Sequence, residues 1–80
     1  MVLRFINKAK EIVEDAELLN TKWAYLQAED KLNDLVIILE ENFKMGIVTI
    51  TEKELIMKKL LEIYLETLEK RYKVTSKAKE

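Results

Sequence analysis

Apolar residues recur along the chain at three- and four-residue spacing, the period of a helix face rather than the alternation of a strand. Val2, Phe5, Ala9, Ile12, Ala16, Leu19, Trp23 and Leu26 form one such stripe, which Asp30 and Asn33 end. A second runs through Leu18, Thr21, Tyr25, Ala28, Leu32, Leu35 and Leu39. The two stripes conflict. At about 100° per residue, Ile12 and Leu39 lie about seven and a half turns apart, so one straight helix would bury opposite faces at its two ends.

A break at Asn20-Thr21 resolves the conflict. Asn tolerates the left-handed conformation that ends a helix, and Thr21 is a suitable N-cap for a helix starting at Lys22. The pattern therefore predicts an all-α fold, an antiparallel three-helix bundle with helices at about 3–19, 22–44 and 52–73. No Gly or Pro marks the break, which leaves an alternative. Residues 1–45 then run on as one long bent helix, and a shorter helix completes a hairpin that closes by dimerisation.

The boundary before the last helix is plainer. Gly46 fits the left-handed position just past a helix end near Lys44. Thr51 and Glu54 have the spacing of a capping box, placing the next helix start near Glu52. The β-branched run Ile47-Val48-Thr49-Ile50 has no second strand to pair with and makes no sheet. From Leu55 to Tyr72 the apolar face is wider than a two-helix seam requires, so it calls for at least two neighbours. Glu54/Lys58, Glu66/Lys70 and Glu69/Lys73 are favourably ordered i,i+4 pairs. Lys70, Arg71 and Lys73 read as complements to the negative helix end. Past Val74 the pattern stops. Residues 1–74 are read as a single helical domain and 75–80 as a disordered basic tail.

Composition narrows the function. Eighty residues, 49% hydrophobic and 36% charged, make one globular domain. The chain has no Pro, Cys or His and a single Gly. Disulfide scaffolds, zinc fingers, His-based catalysis and turn-rich β folds are thereby excluded. Nucleophilic catalysis needs a nucleophile beside a base, and Ser76 with a few Thr supplies no such pair. Glu14-Asp15, Glu29-Asp30 and Glu40-Glu41 are neighbours in sequence, but adjacent helical residues diverge by about 100° and do not converge on one ligand. The expectation is no enzyme, no cofactor, no metal and no small-molecule substrate. No apolar run reaches the length of a membrane span, and the N-terminus has no secretory h-region. A cytoplasmic protein with no membrane partner is expected. Abundant Lys, Glu and Ile suit a thermophilic source.

What remains is protein–protein interaction. Trp23 and Tyr25 flank the proposed turn, and such aromatics are enriched at binding hot spots. Leu32, Leu35 and Leu39 share a helix face rimmed by Asp30, Asp34, Glu40 and Glu41. With Ile47, these residues are the candidate partner or oligomer interface, and the expected partner is a second copy of the chain or another protein. The function read here is a small helical interaction, regulatory or adaptor module that self-associates. On the last helix, Tyr64-Leu65-Glu66 followed by Glu69-Lys70 resembles microtubule-interacting-and-trafficking domains. That resemblance implies a three-helix adaptor docking short helical tail peptides in an inter-helix groove. It covers residues 64–70, and the Ala and Tyr spacing of that family's second helix is not reproduced around Ala24 and Ala28.

The alternative is a small DNA-associated regulator with a helix-turn-helix-like element at 46–60, whose phosphate contacts would be Lys53, Lys58 and Lys59. Its reading helix would begin Glu-Lys-Glu, carboxylates where phosphates lie. Net charge is −1, whereas duplex binders carry a basic footprint. Duplex DNA is therefore expected to bind only through weak contacts that fade by ~200 mM salt. Retardation that is sequence-specific, survives that salt and is abolished by Lys58→Glu would establish the DNA reading instead.

Overall fold

A computed structural model describes residues 2–79, with side chains from 2 to 75. Three helices pack against one another: α1 Val2–Leu19, α2 Lys22–Lys44 and α3 Ile50–Lys79. The break predicted at Asn20 is real. Asn20 holds φ at 49°, and Thr21 is extended, its hydroxyl accepting a 3.1 Å bond from the Ala24 amide. The Tyr25 hydroxyl donates to Asn20 Oδ1 at 3.0 Å, so the first turn of α2 reaches back and fastens the residue that reverses the chain. The single long helix is thereby excluded.

The second connection closes by a Schellman motif. The Gly46 amide donates to Phe43 O and the Ile47 amide to Asn42 O, at 3.0 and 2.9 Å. Gly46 supplies the positive φ of 77°. A capping box follows, but two residues earlier than predicted. The Thr49 amide donates to Glu52 Oε1 and the Glu52 amide to Thr49 Oγ1, at 3.1 and 3.2 Å. The sequence holds two overlapping T-x-x-E frames, and the earlier one wins because it turns Val48 into the core, 2% exposed. A cap at Thr51 would leave two more residues without helical hydrogen bonds. Both bonds from Thr49, the amide's first and the hydroxyl's second, hold the Glu52 carboxyl below its ordinary pKa.

The core has two parts. Phe5, Ala9 and Val13 of α1 meet Leu32, Leu35 and Leu39 of α2 and Ile56 and Leu60 of α3, with Val48 beneath them. Towards the first turn the side chains shrink, and Ala16, Ala24 and Ala28 surround Tyr25. Small residues there let α1 and α2 approach closely where the connection is shortest. Thr67, fully buried in α3, donates its hydroxyl to the Ile63 carbonyl at 2.8 Å, which satisfies a polar group without a partner helix.

Two further expectations are corrected. The first stripe stops short of the break, at Ala16: Leu19 in the last turn of α1 and Trp23 in the first turn of α2 are exposed. The second stripe loses Leu18 and Thr21, which precede α2, to solvent and holds from Tyr25 onward. At the other end α3 continues as helix to Lys79 rather than stopping at 73. The Thr75 hydroxyl bonds the Arg71 carbonyl at 2.9 Å within that extension. Residue 80 of the expected tail lies outside the described residues.

Leu39 has no exposed surface, and Leu39→Ala is expected to lower the unfolding free energy by about 2–5 kcal/mol. Asn20→Ala puts an ordinary side chain in the left-handed region and is expected to remove about 1–2 kcal/mol. Asn20→Gly should do less harm, since it loses the Tyr25 contact but keeps the backbone free. Chemical denaturation of the three variants checks the order. An Asn20→Ala protein as stable as wild type would mean the chain reverses elsewhere.

Candidate interaction surfaces

The candidate interface does not exist as one surface. Tyr25, Leu32, Leu35 and Leu39 are buried in the chain's own core. The reason is the fold-back of α1: it covers the α2 face that a second copy was expected to cover. Trp23 and Ile47 are exposed, but they stand at opposite ends of α2.

Sequence reasoning missed one buried charge and two tethers. Glu29, 7% exposed, accepts from Arg71 Nε at 2.6 Å. It borders the second stripe, four residues after Tyr25 and three before Leu32. That position is the available signal. Next to Arg71, the Lys70 ammonium bonds the Glu17 carboxylate. Adjacent residues of α3 thus tie it to α1 and to α2. The bond to Glu17 holds the Lys70 pKa above its ordinary value, against the burial that lowers it. The helical pairs Glu66–Lys70 and Glu69–Lys73 do form, at 3.8 and 3.6 Å, while Lys59 joins Glu62.

Three groups stand out among the exposed apolar side chains, with Leu3, Ile37, Met45, Ile50 and Leu55 exposed outside them. The first is a groove of about 700 Å³ between α1 and α2, within the ~300–1,000 Å³ range of ligand-sized clefts. Phe5, Leu35, Ile38 and Ile47 form its apolar lining, and the Schellman motif places Ile47 there by folding it back beside Asn42. Its polar lining consists of Arg4, Asn7, Lys8, Glu11 and Asn42. The second group is on α3: Leu61, Leu65 and Tyr72 are more than half exposed and Leu68 is half-buried. The third is the trio Leu18, Leu19 and Trp23 around the first turn.

The lysines of the DNA reading do not converge. Lys53 lies over the Phe43 ring at 4.6 Å and is half-buried, while Lys58 and Lys59 point to solvent with Lys59 paired to Glu62. Contacts from Phe43 to Lys53 and from Glu29 to Arg71 make α2 and α3 an antiparallel hairpin. A helix-turn-helix instead crosses its helices at ~90–120°. Among the described residues no cluster of three or more acidic side chains is placed to hold a metal, and no helix is long and apolar enough to cross a membrane.

The fold defines the class, an all-α three-helix bundle. Set against protein-family models, curated proteins and solved structures, the chain matches none of them.

The two tethers differ in burial, and that difference is measurable. Arg71→Ala leaves the Glu29 carboxylate unpaired in a buried site, where an orphaned charged group costs at least about 1–3 kcal/mol. Lys70→Ala leaves Glu17, which is well exposed, to water and is expected to cost less than ~1 kcal/mol. Urea unfolding of both variants checks the ranking, and equal losses would contradict it.

Proposed function

We propose that this protein is a non-enzymatic interaction module that holds an amphipathic helical segment of another protein in the α1–α2 groove, and that it self-associates through a separate surface. The observation that carries the reading is the groove's apolar lining. Phe5 and Leu35 belong to the closed core yet also line the groove, and Ile38 and Ile47 extend that apolar surface into solvent. Core-quality side chains at the base of an open cleft give a helix-in-groove partner the buried anchor sites it needs. Arg4 and Lys8 outnumber Glu11 in the lining, so acidic side chains beside the apolar anchors of the bound segment are favoured. The residue inventory, without His or Cys, supports binding rather than catalysis.

A random-peptide display library selected against the full chain tests this. Recovered peptides are expected to be amphipathic and to carry acids, and their amide shift perturbations to map onto residues 4–11, 35–42 and 47. Ile38→Glu puts a carboxylate on the groove wall and should weaken them at least about tenfold, the scale of a hot-spot residue. Peptides that bind Ile38→Glu as well as wild type, or that shift a different surface, would overturn the reading.

A further inference from the structure

The two halves of α3 are held by different forces. Ile56 and Leu60 are buried in the main core, with Met57, Ile63 and Tyr64 packed against it. Past Tyr64 that core ends. Of the side chains at 65–75, Thr67 alone is buried, and its hydroxyl bonds the Ile63 carbonyl of its own helix. Val74 alone of them packs against a core cluster, the one formed by Ala16, Ala24, Tyr25 and Ala28, and alanines offer little apolar area to bury. A cleft of about 170 Å³ stays open at this seat, lined by Asn20, Tyr25, Lys70, Lys73 and Val74, which is room for water beside polar groups.

Charge supplies what burial does not. Lys70 bonds Glu17 of α1, and Arg71 bonds Glu29 of α2 at 2.6 Å. Among the described residues these are the two ion pairs that join one helix to another, and both fall on adjacent residues of this half. The local sequence adds little stiffness. Thr67, Val74 and Thr75 are β-branched, which lowers helix propensity. The Thr67 and Thr75 hydroxyls bond back to the Ile63 and Arg71 carbonyls, contacts that slightly destabilise a helix.

We infer that residues 67–79 form a latch, an end of α3 that opens as one unit when its two ion pairs break while the rest of the bundle stays folded. Segments with few buried apolar contacts open below the free energy of global unfolding, and this one gives up little beyond Val74, half-buried Leu68 and the two pairs. Opening hydrates all four charged partners together, so none is left orphaned in an apolar site. It bares Tyr25 and the Glu17 and Glu29 carboxylates. The main core and the α1–α2 groove stay intact, since neither is lined by a residue past Tyr64. The latch is therefore independent of the binding proposed for the groove.

Native-state hydrogen exchange of the full chain, read amide by amide, tests the inference. Amides 68–75 are expected to exchange at one common rate, at least about tenfold faster than amides 32–39 and 56–64. Arg71→Ala is expected to speed them roughly 5–150-fold, the loss of a buried charged partner expressed as a rate ratio. Ile56→Val, a mild cut in the main core, is expected to speed amides 32–39 and 56–64 roughly 2–10-fold. It should leave 68–75 at the wild-type rate, because the latch opens without that core. Where Arg71→Ala does not fold, Lys70→Ala, which breaks the more exposed pair, is expected to move 68–75 in the same direction. If Ile56→Val speeds 68–75 as much as the core, α3 is a single unit and the inference is overturned. So it is if 68–75 are unmoved by loss of either pair, or if rates climb steadily towards Lys79, which is ordinary fraying.

Discussion

Everything in this fold depends on reversing the chain at Asn20. Two apolar stripes half a turn out of register cannot share one straight helix and one core. The conflict is removed by a single residue in the left-handed region, which Asn tolerates at a modest cost. That cost is offset locally: Thr21 caps the new helix and the Tyr25 hydroxyl holds the Asn20 side chain. Once α1 folds back, the α2 leucines are covered within the chain. The monomer thus closes its own core, and any association must use surface outside it.

The reversal also explains where small side chains lie. A connection this short brings α1 and α2 together before either has room to diverge, so Ala16, Ala24 and Ala28 line the near end. Larger residues fill the far end, where Phe5 meets Leu35 and Leu39. The groove between α1 and α2 lies at that far end and shares Phe5 and Leu35 with the core. Its base is core and its rim is polar. α3 is fixed separately, by Lys70 reaching one neighbour and Arg71 the other.

Much of this was legible from residue pattern alone. The Asn20 reversal, the Thr21 cap, Gly46 in the left-handed region and the α2 core line from Tyr25 to Leu39 all follow from spacing and local chemistry. What escaped has definite causes. Two T-x-x-E frames overlap, and only the burial of Val48 chooses between Thr49 and Thr51. The Glu29–Arg71 pair is hidden because its members are 42 residues apart in sequence. The extension of α3 to Lys79 was hidden because periodicity registers only where a helix packs, and past Val74 no apolar repeat remains. The interface residues were misplaced for one physical reason: apolar excess can be counted along a chain, but which part of it the core absorbs is decided by which helix folds onto which.

The apolar surface that survives folding is therefore the informative quantity. Burying Leu32, Leu35 and Leu39 removes the original reason to expect a dimer, yet Leu61, Leu65 and Tyr72 still stand in water, each forgoing part of the ~1.5–3 kcal/mol that full burial of a large apolar side chain yields. Scattered apolar exposure is ordinary on any protein and needs no explanation. Repetition at coiled-coil spacing along one narrow arc is different, because a neighbour can cover the whole line at once. The groove draws on α1, α2 and the loop after them, and the stripe on α3 alone. The two surfaces thus lie on separate elements, and covering one leaves the other open.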